Sequence, residues 1–386
     1  MADSAVGPPP LDPMEPIRIS LPQLEALRLT DDEGRPLVES IPLFDPEQVD
    51  IRPLDFGDAD FERLRIVEHP FAGAWKQTTY QSVPVRLYRL RGAHVHSSAG
   101  VVMVANRLVA ETLQHVYPPE HGMQVDPETG FTTLQSADVR HVAGRAVHLL
   151  AAGAYNYYHW LIDAFSRLSV LPGHHLDDLL LVPPLERAFQ RDSLSGLGRS
   201  VRAHAIGTAE TVLVDELMLV PSLTGFGYYP PPTLFAAFDR LASGMAAAAA
   251  HRRIYIHRLR SPKRRLMNEA AVMERLAAAG YETLDLDGMA LADQMRAFAE
   301  ATHVVAPHGA GLTNLVFCRP GTMVCELQMD CYTNWLFRRL ANLRGLEYGC
   351  VLGRIDGPWE PLWPHDRTWR MPLDHLTATL DRAGFL

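Results

Sequence analysis

Two hydrophobic rhythms run along this chain, and one replaces the other near residue 252. Beyond that point short apolar runs alternate with stretches whose apolar positions recur at helical spacing. The alternation predicts strands at 254–257, 282–286, 304–306, 323–327 and 347–351, with helices at 268–279, 290–301, 312–317 and 333–343 between them. Asn268 stands where a helix N-cap belongs, and Gly280 fits the glycine position that ends the helix. Strands alternating with helices predict a parallel sheet covered on both faces, an α/β class. Such sheets bind ligands at the carboxyl ends of their strands, near the point where the strand order reverses. A last helix is expected within 370–386, returning to the first domain.

Before residue 252 the pattern is looser. Residues 64–150 read mostly as strands, among them 83–90, 101–108 and 145–151. From 155 the rhythm turns helical, with apolar residues at 158, 161, 162, 165 and 168. Strands are expected at 179–182 and 212–220, and a helical, Ala-rich stretch follows three prolines at 230–232. Residues 1–60 are rich in proline and acidic residues and read as a partly disordered or wrapping arm. The chain of 386 residues therefore divides into an arm (1–60), a first domain (61–250), a second domain (251–355) and a tail with its helix (356–386).

Composition narrows the function classes. A net charge of −9 speaks against a nucleic-acid binder, which would carry a basic face. Cys318, Cys325, Cys331 and Cys350 form no CxxC pair, which argues against a zinc ribbon or a redox motif. Set among apolar residues, they suggest buried free thiols and a reducing, cytoplasmic location. No apolar run approaches the roughly 18 residues of a membrane span. The first residues, MADSAVGPPPLDP, lack the basic and apolar regions of a secretory signal. Peripheral membrane attachment stays open, although no basic amphipathic helix speaks for it. So does the oligomeric state.

Four clusters can carry chemistry. The first lies in HVVAPHGAGLTNLVFCRPGTMVCEL (303–327), where a strand breaks into His308, Gly309, Ala310 and Gly311 before a helix. Small residues let backbone N–H groups approach a ligand, and the helix start favours phosphate or diphosphate. Thr313 and Asn314 lie on the first helical turn, within reach of a ligand. The turn is not the GxGxxG fingerprint, because the third glycine is missing. An ordinary βα turn packed on small residues is the competing reading. The second cluster, 257–265, holds six basic or titratable residues directly after a strand. Arg258, with Arg264 or Arg265, suits diphosphate oxygens, against the alternative of a solvated charge run. In the third, His159 and Asp163 lie four apart on one helical face, as a general base and the carboxylate that orients it. A core histidine amid aromatic packing is the alternative. The fourth is Glu326, a carboxylate placed to bind a ribose diol or to pair with an arginine.

Other patterns say less. Asp285–Asp287 and Asp58–Asp60 form D-x-D pairs, and His94-x-His96 lacks a third ligand at a recognisable spacing. GxSxG, Walker A and HExxH motifs are absent.

Three blocks, NYYHWLIDAFSRL (156–168), YIHRLRSPKRRLMNEAAVMERLAAAGYE (255–282) and VVAPHGAGLTNLVFCRPGTMVCEL (304–327), together resemble the glycosyltransferase 61 family. The resemblance covers about 150–350 and does not reach residues 1–60. It implies a GT-B fold of two Rossmann-like domains facing across a cleft: an acceptor-side first domain and a second domain holding a nucleotide sugar. It implies an inverting hexosyl- or pentosyltransferase acting on a glycan or other hydroxyl acceptor in polysaccharide biosynthesis. Arg258 and Arg265 would contact the diphosphate, with Arg264 and Asn268 beside them. His308, Gly309, Ala310 and Gly311 would form the diphosphate turn, and Glu326 would sit at the ribose. His159 and Asp163 would face the cleft. No metal and no cofactor beyond the sugar-nucleotide co-substrate is expected. His257 departs from the small residue more common in the family and puts the local loop conformation in question. The competing functions are a nucleotide-sugar-binding protein without turnover, an NAD-dependent oxidoreductase, and a structural partner in polysaccharide export.

Overall fold

The structure, a computed structural model, describes residues 17–57, 60, 62, 72–121, 123–125, 132–134, 139–198, 200–225, 228–245, 249–356 and 367–386. The chain forms two compact units: Met1–Pro46 with Val83–Gly227, and Glu47–Ser82 with Tyr228–Leu386. Both are α/β, as the hydrophobic rhythm predicts.

Among the described residues the first unit is built on a nine-stranded mixed sheet. Its centre is the long strand Val85–His96, antiparallel to Val38–Phe44 on one side and Thr211–Leu219 on the other. Val139–His148 and Leu179–Val182 continue the sheet in parallel. Leu90, Val95, Val102, Leu181 and Leu217 fill the core. The expected strand 101–108 is two strands, Val101–Val104 and Arg107–Val109. Ala105 and Asn106 turn the chain between them in the left-handed region, at φ 45° and 57°. A hairpin turn of that kind usually announces itself by glycine, and here it does not. The expected arm is part of this unit from Ile17 to Pro46. Ile17–Ile19 pairs with Arg107–Val109, and Leu21 and Leu24 are buried. Residues 1–16 lie outside the described residues.

The second unit carries a six-stranded sheet among the described residues. Its strands are β1 (Arg252–Ile256), β2 (Glu282–Leu284), β3 (Ala301–Pro307), β4 (Met323–Met329), β5 (Glu347–Ile355) and β6 (Trp369–Arg370). The order is β2-β1-β3-β4-β5-β6, parallel throughout except for β6. Val304, Val305, Val324 and Leu327 are fully buried, the uninterrupted apolar run of a sheet covered on both faces. Helices Glu269–Ala278, Leu291–Ala299 and Leu336–Arg344 lie where helical spacing places them. The segment 312–317, read as an α-helix, is a 3₁₀-helix, Ala310–Phe317.

The unit boundaries fall elsewhere than the hydrophobic pattern places them. Residues 47–57 and 72–82 belong to the second unit. Two buried arginines of Leu336–Arg344 hold them: Arg338 donates to the carbonyls of Trp75 and Arg52, and Arg339 sits among the rings of Tyr80, Tyr229 and Trp335 at 5.0, 4.6 and 5.7 Å. The last helix, Leu373–Arg382, sets Leu376 and Leu380 into the core of Tyr255, Leu276 and Val305, and Phe385 just after it joins them. It packs within the second unit, because its apolar face completes that sheet's cover. Leu376→Ala is therefore expected to destabilise the second unit by about 2–5 kcal/mol, read by urea unfolding.

Candidate functional site

The strand order of the second unit reverses between β1 and β3, which pair at Tyr255 and Val305. With neighbours on opposite sides, their carboxyl ends open the crevice where such sheets take ligands. The basic segment leaves β1 there, and His308–Gly311 leaves β3.

The two loops meet at one contact. The Arg258 guanidinium lies flat against Gly309, where an added Cβ would stand 2.6 Å from Nη1 and 2.9 Å from Cζ. Gly309 is extended (φ 175°), so space requires the glycine, not conformation. Arg258 Nη1 donates to the His308 carbonyl, and Nη2 donates to Ser261 Oγ at 2.8 Å. Its backbone N–H donates to Glu269 Oε1 at 2.8 Å, which also accepts from the Tyr255 hydroxyl. Among the described residues no carboxylate reaches ion-pair distance of the guanidinium. Burial, then repulsion from Arg264, pulls the Arg258 pKa down to about 10. It is still charged at neutral pH. The Leu312 N–H donates to the Gly309 carbonyl at 3.0 Å, and the amides of Ala310 and Gly311, ahead of it, are the helix-start donors that suit an anion.

Arg264 is half-buried, in the left-handed region (φ 51°), with its guanidinium 5.2 Å from the Tyr332 ring centre. Burial lowers its pKa also. Arg265 is exposed, and its carbonyl accepts from the Trp369 N–H at 3.1 Å.

Other expected site residues brace the crevice. Asn268 takes the N-cap position, yet its amide makes no cap bond. It pairs with the Met371 backbone on both sides, at 2.8 and 2.9 Å. Asn314 donates to Gln294 Oε1 and to the Gly311 carbonyl. Thr313 is buried, its hydroxyl without a partner among the described residues. Glu326 is fully buried beneath the turn, accepting from His308 Nδ1 at 2.5 Å and from the Tyr348 hydroxyl. Burial lowers the His308 pKa and raises that of Tyr348, so a neutral imidazole and a neutral phenol face one carboxylate.

His159 and Asp163 lie in the first unit. The expected α-helix is a π-helical segment, His159–Ala164, continued by a 3₁₀ stretch, Phe165–Ser169. Gly153 (φ 75°) turns the chain against the His159 ring, 3.0 Å from Cδ2 to the position of a Cβ. His159 Nδ1 meets Asp163 Oδ2 at 2.7 Å, and Thr224 Oγ1 donates to Asp163 Oδ1 at 3.3 Å. Nδ1 thus carries the proton and Nε2 is the basic nitrogen. A cavity of about 370 Å³ opens on this pair, lined by Tyr155, Asn156, Glu120, Arg187 and Gln190 among others. Beneath it a void of about 20 Å³ is walled by Glu111, His148, Asp163 and Arg167. Buried Arg167 donates through Nη1 to His148 Nδ1 at 3.0 Å and to the Leu150 carbonyl at 2.9 Å. His148 Nε2 donates to the Gly100 carbonyl at 2.7 Å.

The weaker patterns have structural uses. Both ring nitrogens of His96 are bonded, to Thr211 Oγ1 and the His121 carbonyl. Asp285 caps the following turn and pairs with Arg260 at 3.2 Å. Asp60 accepts from the Leu352 N–H and from His375, while Asp58 and Ala59 lie outside the described residues. Sequence reasoning passed over Ser261, Gln294, Tyr348, Arg167 and His115, whose ring centre stands 5.3 Å from that of His159. Ser261 and Arg167 fall inside the blocks 255–282 and 156–168, whereas Gln294, Tyr348 and His115 fall in none; three-dimensional proximity is what selects all five.

Strand order, switch point and turn define a Rossmann-like α/β unit. The sequence model of the Glycosyltransferase 61 family matches residues 157–325, a stretch holding every residue named in the two sites by sequence except Glu326. The chain is 38% identical over 63 residues to Beta-1,2-xylosyltransferase RCN11 of Oryza sativa subsp. japonica, across 16% of this chain and 12% of that one. To Beta-1,2-xylosyltransferase of Arabidopsis thaliana it is 29% identical over 130 residues, 28% of this chain and 24% of that one. The chain thus spans about a quarter or less of these curated relatives. The resemblance to glycosyltransferase 61 stands over residues 157–325.

Two stability outcomes follow. Gly309→Ala drives a methyl group into Arg258 and is expected to cost about 1–3 kcal/mol, but far less in an Arg258→Ala background; a double-mutant cycle in urea checks this. His148 is held neutral by burial, its pKa pulled down to about 3 from an ordinary 6.5. Between those values the unfolded chain binds a proton that the folded chain refuses, so stability falls as pH drops below about 6.5. The slope reaches about 1.4 kcal/mol per pH unit for this one group, and His148→Gln should flatten it in unfolding curves between pH 7.5 and 5.

Proposed function

We propose that this protein is an inverting glycosyltransferase that moves a sugar from a nucleoside-diphosphate sugar to a hydroxyl acceptor in glycan or polysaccharide synthesis. The observation that carries the reading is the Arg258 guanidinium laid on Gly309 at the switch point of a parallel sheet. Its hydrogen-bond partners are neutral, beside first-turn amides of a helix, which suits two ionised phosphates. Arg264 and Arg265 extend the positive field along the diphosphate.

In this reading His159 Nε2 takes the proton of the acceptor hydroxyl, while Asp163 steadies the imidazolium that forms. The acceptor oxygen bonds to the anomeric carbon from the face opposite the leaving group. The bond to the diphosphate oxygen breaks, and its electron pair leaves with the diphosphate. Arg258, Arg264 and the helix amides stabilise the departing charge without a metal. In this reading the second unit binds the donor and the first unit carries the base. A cytoplasmic setting belongs to the proposal, supported by four buried free cysteines. No helix among the described residues is long and apolar enough to cross a membrane. A nucleotide-sugar-binding protein without turnover is the second reading; the orientation of His159 by Asp163 favours chemistry over binding alone.

A panel of nucleoside diphosphates, their sugars and NAD, followed by thermal shift, tests the donor. Nucleoside-diphosphate xylose comes first, because both similar proteins are named xylosyltransferases. One nucleoside diphosphate should stabilise the protein, and Arg258→Ala should abolish that shift. His159→Ala should lower turnover about 10²–10⁴-fold with donor binding intact, and EDTA should leave turnover unchanged. A shift with NAD alone overturns the reading. Donor binding with unaltered turnover in His159→Ala removes the base from it.

A further inference from the structure

His115 has no part in the mechanism above, yet it stands beside the base. It reaches that place from a left-handed backbone conformation (φ 60°), uncommon for a residue other than glycine. One ligand atom each from His115, His159 and Asp163 lie within 4.8 Å of one another. His159 and Asp163 are fixed by the helical winding and by Thr224, whereas His115 is exposed, 3.3 Å from the Gln114 amide and with its ring centre 5.3 Å from that of His159. The cavity that opens on His159 is also lined by His115, so water or an added ligand could complete a coordination sphere.

We infer that His115, His159 and Asp163 form a binding site for a transition-metal ion of the zinc type, and that the ion inhibits the enzyme. Two imidazoles and one carboxylate are donors for Zn²⁺, Co²⁺, Ni²⁺ or Cu²⁺. They are a poor set for Mg²⁺ or Ca²⁺, which require mostly oxygen. Bonds of about 2.1 Å at tetrahedral angles put ligand atoms ~3.4 Å apart. Gaps of up to 4.8 Å must therefore close by as much as about 1.4 Å, a movement that a turn of the exposed His115 ring supplies. The 2.7 Å gap between His159 Nδ1 and Asp163 Oδ2 opens as the ion replaces the proton they share. The imidazole stays neutral by carrying its proton on Nε2, the atom that would have taken the acceptor's proton. Arg167, charged and buried behind Asp163, disfavours weakly held hard cations and leaves the site to ions that bind imidazole strongly.

Binding is independent of sugar transfer; only the inhibition rests on His159 as base. The test is titration of the full chain, stripped of metal by chelator, with Co²⁺ alone, followed by its visible ligand-field bands. One Co²⁺ per chain is expected, displaced by Zn²⁺ and not by Mg²⁺. His115→Ala and His115→Gln should each weaken Co²⁺ about tenfold or more and keep the melting temperature of the wild type. If transfer is measured, Zn²⁺ should inhibit the wild type reversibly with EDTA and inhibit the His115 variants only at about tenfold higher concentration. Equal Co²⁺ affinity in wild type and both variants, or competition by Mg²⁺, overturns the site. Co²⁺ binding that depends on His115 without inhibition by Zn²⁺ overturns the inhibitory role and leaves the site standing.

Discussion

A charged guanidinium pressed onto a glycine organises the second unit. Arg258 comes off β1, Gly309 comes off β3, and no side chain at 309 would leave room for the contact. Each neighbour then has a defined task. Glu269, the first residue of its helix, holds the Arg258 backbone and the Tyr255 hydroxyl. Ser261 holds one arm of the guanidinium. Glu326, under the turn, fixes His308, whose carbonyl receives the other arm. A buried cation served mainly by neutral acceptors is costly in an apolar interior, and an anionic ligand at the crevice would relieve that cost. The same arrangement explains why the carboxylate expected at the ribose lies deeper: its two oxygens are already spent on His308 and Tyr348.

The first unit solves a related problem by other means. Asp163 and Arg167 lie one turn apart in tightly and loosely wound helix, and both are buried. Arg167 is anchored by His148 and a carbonyl, acceptors that carry no charge, and burial lowers its pKa to about 10. The positive charge behind Asp163 is thus locked in place by a histidine that cannot itself be protonated at neutral pH. π-Helical winding is frequent at functional sites because it widens the turn that presents side chains.

Much of this was legible in the chain. The alternation of strand and helix beyond residue 252, the switch-point position of HGAG and the meeting of HGAG with the basic loop all follow from pattern and spacing. What could not be read there depends on distance in space. Nothing in the spacing shows that 47–57 and 72–82 are held by Arg338 and Arg339, because a guanidinium among aromatic rings leaves no periodic trace. Helix type was equally hidden: 3.6-residue spacing does not separate an α-helix from the 3₁₀ run Ala310–Phe317 or the π-turn at His159. Asn268 and Asn314 look like ligand residues by position, yet an amide satisfies backbone groups equally well, and here both do so, at Met371 and at the Gly311 carbonyl.

The C-terminal segment shows how far the site depends on residues outside the family match. Trp369, on the edge strand β6, receives the carbonyl of Arg264 at its indole N–H and that of Arg265 at its backbone N–H, while its own carbonyl accepts from Met267. Its ring lies over Gly353, where a Cβ would stand 2.3 Å away. The basic loop, which has little regular structure of its own, is thus shaped by a tryptophan about a hundred residues downstream, held in turn by a glycine on β5. The left-handed backbone of Arg264 is the local strain that this clamp sustains. Residues 157–325 supply the side chains of the crevice; the strands after them supply the loop geometry. The Arg-rich loop and the edge strand are therefore one structural element, although only the first carries the family signature.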